Sequence, residues 1–161
     1  LTTELMLELM GDRVKKKRVL DLGCGTGVLA CFALLWGASY VCCLDCDEKA
    51  IDLCNRNLLH NSFKEEKYLV STQVDLNNSF FDTLLCNMTL GDQELALAAN
   101  KEVFSQVNEL IFSGILDEQK EEFLNFLYEN YLDKDEWLMT TCIIKGKWQG
   151  FVFNKKTQKV N

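Results

Sequence analysis

Residues 18–27 read Arg-Val-Leu-Asp-Leu-Gly-Cys-Gly-Thr-Gly, with Gly23, Gly25 and Gly27 alternating with Cys24 and Thr26. Val19 to Leu22 has the composition of a short buried strand, apolar except for Asp21. From Val28 the pattern turns helical, and it runs to Trp36 before Gly37 ends it. A strand, a glycine turn and a helix start, in that order, make a cradle for a small molecule. Glycine lets backbone come close to a ligand and tolerates positive φ. The first turn of the helix offers N–H groups that have no partner within it. In a parallel α/β sheet such a turn lies at the carboxyl edge, where ligands bind.

Asp45 adds a second group at a telling distance. Tyr40 to Leu44 is another buried-strand run, and Asp45 closes it, 22 positions after Gly23. An acid about 20 residues past the glycines, at the end of the second strand, accepts hydrogen bonds from ribose hydroxyls. The glycine spacing narrows the ligand further. A dinucleotide fingerprint, G-x-G-x-x-G, would need its third glycine where the chain has Val28. The observed G-x-G-x-G, preceded by Asp21, resembles motif I of the Rossmann-like S-adenosylmethionine-dependent methyltransferases. That ligand has no pyrophosphate to seat on the helix. The resemblance implies that Gly23 and Gly25 let the turn pass under its amino-acid part, with Gly27 assigned to the same site. It also implies that Asp21 reaches the ammonium, directly or through water. Cys46, next to Asp45, is assigned to the same site.

The elements that must hold these residues follow from the pattern. Leucines and methionines at helical spacing predict a helix over Thr2 to Met10, stopped by Gly11-Asp12. Strands are expected at about 18–22, 39–45, 68–75, 81–87 and 108–113, the last closed by Gly114. Helices are expected at about 27–36, from Asp47 to about 60, at 92–104 and at 117–131. Asp47 is a natural N-cap. Trp137 to Ile144 and Trp148 to Phe153, joined by Lys145-Gly-Lys147, read as a hairpin. Alternating strands and helices predict a parallel sheet with right-handed crossovers, and the hairpin makes the last strand antiparallel.

Length and composition bound the rest. The 161 residues are enough for one domain with a sizeable core. No apolar run approaches the ~18 residues of a membrane span, and no secretory leader is read at Leu1-Thr-Thr-Glu. A net charge of −7 argues against a nucleic-acid backbone as the main partner. The one basic run, Lys15 to Arg18, reads as a solvated loop. Eight cysteines include Cys43-x-x-Cys46, but a zinc site would want a second pair or histidines, and His60 is the only histidine. They read as reduced thiols serving as small hydrophobes, with no metal, in a cytoplasmic compartment. The three tryptophans read as packing.

The acceptor of a methyl group is usually legible at the end of the fourth strand. Methyltransferases of base nitrogens and of glutamine carry Asn-Pro-Pro-Tyr or Asp-Pro-Pro-Tyr there. This chain has Cys86-Asn-Met-Thr-Leu90 and no proline anywhere. Several stretches instead resemble the ribosomal protein L11 methyltransferase family (PrmA-type). Residues 19–30 differ from that family's motif only at Thr26. Leu1-Thr-Thr-Glu resembles the tail of its His-Pro-Thr-Thr segment, and Asn87-Met-Thr-Leu partly resembles its Asn-Ile-Leu-Ala. Phe112-Ser-Gly-Ile-Leu116 with Gln119, and Glu136-Trp137, match in order.

The resemblance implies a class I methyltransferase fold, a seven-stranded, mostly parallel sheet with an antiparallel last strand and helices on both faces. It implies S-adenosylmethionine as cofactor and a protein amine, in a ribosomal protein, as substrate. Cofactor contacts carry over to Thr3, Gly23, Asp45 and Asn87. Asn87 is the candidate catalytic residue, lining the methyl group through its carbonyl oxygen; the bland alternative is a strand-end cap. Asp75, at the end of the third predicted strand, is placed either to accept from the adenine amino group or as a solvated turn residue. The family's amino-terminal substrate-recognition domain has no counterpart in these residues. An RNA or small-molecule methyltransferase and a non-catalytic cofactor-binding module remain alternatives. A nicotinamide oxidoreductase is disfavoured by the glycine spacing.

Overall fold

The apolar runs become seven strands among residues 1–76 and 79–156, which the computed structural model describes. They are β1 (Arg18–Leu22), β2 (Tyr40–Leu44), β3 (Tyr68–Ser71), β4 (Thr83–Asn87), β5 (Glu109–Leu116), β6 (Trp137–Lys145) and β7 (Trp148–Lys155). Between and around them lie α1 (Thr2–Met10), α2 (Val28–Leu35), α3 (Glu48–His60), α4 (Leu90–Ala99), α5 (Val103–Gln106) and α6 (Lys120–Asn130). The sheet order is β3–β2–β1–β4–β5–β7–β6. β1 to β5 pair in parallel, and β7 runs antiparallel between β5 and β6. The expected mostly parallel sheet with an antiparallel last strand is therefore the observed one. Chain order reverses at the β1–β4 boundary, and crevices for ligands open at such switch points.

Each face of the sheet has its own core, because alternate strand residues point to opposite sides. Val19, Val41, Leu85, Ile111 and Val152 face α1, α2 and α3, which contribute Leu5, Leu9, Ala33, Cys54 and Leu58. Leu20, Leu84, Phe112, Phe151 and Phe153 face α4, α5 and α6, which contribute Leu97, Phe104, Phe123 and Leu127. Phe112 meets Phe123 edge-on, with ring centres 5.2 Å apart, and Phe123 leans on Phe151 at 5.6 Å. Such pairs add about 0.5–1.5 kcal/mol each to their burial. The α1 stripe is complete: Leu5, Met6, Leu9 and Met10 are all buried. Asp47 caps α3 by accepting from the Lys49 N–H at 2.9 Å, an interaction of about 1 kcal/mol.

Four elements depart from expectation. β3 ends at Ser71 and does not reach Asp75, because the Ser71 hydroxyl accepts from the Gln73 N–H and donates to the Gln73 carbonyl, turning the chain. The helix expected at 92–104 is two helices. Asn100, whose amide donates to the Ala96 carbonyl at 2.8 Å, ends the first, and its own carbonyl accepts from the Val103 N–H. Gly114 does not close β5 but lies inside it, at φ 94°, where the pairing with β7 shifts between Ser113 and Ile115. A glycine there is the mark of a bulge. The helix expected from 117 starts with a 3₁₀ turn, Asp117–Gln119, before α6.

Candidate active site

The loop from β1 to α2 is tied to the end of β2: the Gly23 and Cys24 N–H groups both donate to the Leu44 carbonyl, at 2.8 and 3.1 Å. Its three glycines all have positive φ, 73°, 53° and 77°, yet their surroundings differ. A Cβ on Gly23 would run into the Met88 sulfur, and one on Gly27 would lie 2.5 Å from the Cys54 sulfur. One on Gly25 would meet nothing within 4 Å. Packing alone accounts for glycine at 23 and 27, whereas at 25 the space is open and available to a ligand. The Gly25 N–H donates to Asp45 Oδ2 at 2.9 Å, and the Asp47 N–H donates to Asp45 Oδ1 at 3.0 Å. Two backbone donors thus fix the Asp45 carboxylate, and its remaining lone pairs can still accept from a ligand.

Asp45 opens onto a cleft of about 720 Å³. Leu22 and Gly23 form one side, Leu44, Asp45 and Cys46 the next, Thr72, Gln73 and Val74 the third. Met88, the α4 residues Asp92, Leu95, Ala96 and Ala99, and Asn100 just past the helix close it. Its shape suits a flat ring gripped by apolar side chains, with hydroxyl groups at the acidic end. The structure therefore brings Gly23, Asp45 and Cys46 together, with Gly25 hydrogen-bonded to Asp45. It also adds Met88 and the α4 wall, which the sequence reading missed. A trace of that wall exists in the sequence: Ala96 and Ala99 are small and about one turn apart. Leu95, 74% exposed, is an apolar side chain turned away from the core.

The other predicted residues, Asp75, Gly27, Asn87 and Thr3, do not line this cleft. Asp75 follows Val74 in the loop beyond β3, is exposed, and its carbonyl accepts from the Ser79 hydroxyl at 2.6 Å. Gly27 sits behind the cleft, against α3. Asn87 ends β4 in register with Ser113. The Ser113 hydroxyl donates to the Thr2 carbonyl at 3.1 Å, so the start of α1, with half-buried Thr3, is held beside the ends of β4 and β5. The Asn87 carboxamide oxygen is buried with no partner. An unmade bond of this kind costs about 1–3 kcal/mol, and an incoming N–H donor would recover it.

Asp21 is 1% exposed, and neither of its oxygens has a hydrogen-bond partner at close range, the backbone at Ala30 interacting only weakly. It shares the face of Val19, beneath the glycine loop and toward α2, and does not line the cleft. Burial pushes its pKa up to about 8; Cys54 and Asp45 push the same way, and the backbone at Ala30 opposes them. All eight cysteines are free thiols. Among the described residues no helix is long and apolar enough to cross a membrane, and no group of three His, Cys, Asp or Glu side chains is placed to hold a metal ion.

The family model described as Ribosomal protein L11 methyltransferase (PrmA) matches residues 1–156. The chain is 34% identical over 152 residues to the ribosomal protein L11 methyltransferase of Shewanella denitrificans, covering 89% of this chain and 51% of that protein. It thus spans about half the length of the curated relatives it matches. Among solved structures it is similar to a ribosomal protein L11 methylase from Lactobacillus delbrueckii subsp. bulgaricus, with TM-score 0.76 and 25% identity, over 96% of this chain and 78% of that one. It is also similar to a Pyrococcus horikoshii protein provisionally described as an RNA methyltransferase, with TM-score 0.73 and 25% identity, over 98% and 83%.

Proposed function

The chain belongs to the ribosomal protein L11 methyltransferase family, and from that premise we propose that it is an S-adenosylmethionine-dependent N-methyltransferase acting on amino groups of a ribosomal protein. The acceptor is a lysine side chain or an N-terminal amine, residues 1–161 form the catalytic domain, and the compartment is the cytoplasm. One observation carries the reading: the Asp45 carboxylate, held by the Gly25 N–H, lines the cleft, with an unpartnered Asn87 oxygen at the neighbouring strand end.

The residues present fit the cofactor. Asp45 keeps lone pairs for ribose hydroxyls, Gly25 leaves room for close backbone approach, and Leu44, Val74, Ala96 and Ala99 offer an apolar slot for the adenine ring. Bound there, the cofactor supplies a sulfonium methyl group that needs no further activation.

What remains for the protein is to present a neutral, aligned nucleophile. A lysine amine with an ordinary pKa of about 10.4 is almost wholly protonated at neutral pH and has no free lone pair. Removing it from water favours its neutral form. Asn87 Oδ1 then accepts one amine hydrogen and turns the lone pair toward the methyl group, a proximity effect. A carboxamide suits this role better than a carboxylate, which would hold the amine as an ammonium. The net charge of −7 favours approach of a basic protein.

The test is transfer of radiolabelled methyl groups to unmethylated recombinant ribosomal protein L11 and to whole ribosomes. Protease-sensitive, RNase-resistant label on L11 is the expected result. Label removed by RNase would replace this acceptor with RNA. Cofactor binding without transfer to any acceptor would make the chain a binding module.

A further inference from the structure

Gln93 lies in the first turn of α4, is 0% exposed, and was singled out by nothing in the sequence. Its side-chain nitrogen donates to two backbone carbonyls, those of Met88 and Ser113, each at 2.7 Å. Both neighbours only accept, so the amide must face them with its NH₂ group. Its oxygen is then buried without a donor. An apolar side chain of the same size would fill the space without that cost, so packing does not explain a glutamine here.

The identity of the two carbonyls does. Met88 directly follows Asn87, and Ser113 lies opposite Asn87 in the parallel ladder. Gln93 therefore grips the backbone on both sides of Asn87 without touching it. The surroundings leave that backbone one path: the Met88 side chain lies against Gly23, and the Met88 carbonyl lies where a Cβ on Gly114 would be. Glycine at the bulge makes the close approach sterically possible, and the Gln93 amide supplies the donors that hold it.

We propose that Gln93 is a positioning residue for methyl transfer, clamping the turn after β4 to the β5 bulge and so fixing the direction of the Asn87 carboxamide. The proposal rests on the methyltransferase reading above, so its test includes a measurement that needs no acceptor.

Gln93→Leu removes both donors at similar volume, and Gln93→Glu keeps the shape but sets a carboxylate against two carbonyl oxygens. By calorimetry, S-adenosylmethionine should bind both variants within about three-fold of the parent. In methylation of L11, kcat of Gln93→Leu should fall by about 30–100-fold with the cofactor KM little changed, since misplacement by about 1 Å costs about that much. For Gln93→Glu the ratio of its kcat to that of the parent should rise as pH falls from 9 to 6, because the protonated acid regains one donor. The acceptor-free measurement is the ¹³C-methyl spectrum of the four methionines. The Met88 signal should move in both variants while those of Met6 and Met10, buried in α1, stay in place. A parent-like Met88 signal, parent-like kcat, or cofactor affinity falling in step with kcat would each overturn the proposal. If the parent itself fails to methylate L11, the acceptor assignment fails, and the Met88 signal alone decides whether Gln93 positions the turn.

Discussion

Replacing Asp21 with asparagine tests the charge state of the core beneath the glycine loop. Asp21 is 1% exposed with no close partner on either oxygen, and burial raises its pKa from 3.8 to about 8. Between about pH 4 and pH 8 the folded protein therefore holds a proton that the unfolded chain has released. The state that binds more protons loses ground as pH rises, so this group favours folding most below pH 4, and its contribution declines up to pH 8. The direction is opposite to that of a carboxylate in a salt bridge. Four pH units at about 1.36 kcal/mol each amount to ~6 kcal/mol over the window, of which ~4 kcal/mol is gone by pH 7. Asparagine cannot ionise. The unfolding free energy of Asp21→Asn minus that of the parent should therefore grow by ~1.4 kcal/mol per pH unit between pH 5 and 7.5, and level off above 8. Urea titrations of both proteins at several pH values give this difference, in which every other titrating group cancels. Its intercept depends on how well the new carboxamide is satisfied; only its slope tests the reasoning. A flat difference would mean that the folded protein ionises Asp21 as readily as the unfolded chain does, and the argument from burial would fall.

Asp45→Ala should weaken S-adenosylmethionine binding by about 1.5–3 kcal/mol, with Asp45→Asn costing less; an unchanged dissociation constant by calorimetry would put the ribose elsewhere. Gly25→Ala, whose new methyl group meets only strain from a φ of 53°, should lose about 1–2 kcal/mol of stability while losing most of its cofactor affinity. Gly23→Ala, pressed against Met88, should show the larger drop in melting temperature, and the reverse order would invert the roles given to the two glycines. Asn87→Ala should lower the methylation rate more than cofactor affinity. Asn87→Asp should move the half-maximum of the pH–rate profile upward, because a carboxylate favours the charged amine; a profile matching the parent's would reduce Asn87 to a strand cap.

The sequence was most legible where structure is local. The strand, turn and helix around Gly23, the cap at Asp47 and the stripe of α1 each depend on residues within a dozen positions, so spacing and residue type suffice. Asp45 was legible because its distance from the glycines is set by one βαβ unit. Contacts between distant segments were not. No periodicity announces that Gly25 opens on space while Gly23 and Gly27 are filled by Met88 and Cys54, since φ is positive at all three. Ser71 and Asn100 ended their elements through side-chain bonds to nearby backbone, which compete with ladder and helix in ways that hydrophobic patterning does not register. Gly114 read as a terminator because glycine has two uses, stopping a strand and bulging it, and only the β7 pairing decides between them. The α4 wall was hidden for a similar reason: a helix beside a cleft shows the same alternation as one beside water.

The place of β7 has a consequence for how the chain comes off the ribosome. Among the described residues β6 pairs in the sheet only with β7, and α1 rests partly on β7, with Gly150 held against Leu5 and Leu9. During synthesis α1 emerges before the strands it packs on, with its leucines and methionines bare, and β6 later emerges with no neighbour. β6 has no strand to pair with, and α1 lacks part of its seat, until residues 148–155 have been made. Pairings so distant in sequence form slowly, and an uncovered apolar stripe in the meantime is what holding chaperones bind. Translation that stopped before Trp148 would leave α1 without part of its support, although every residue of that helix had been made correctly.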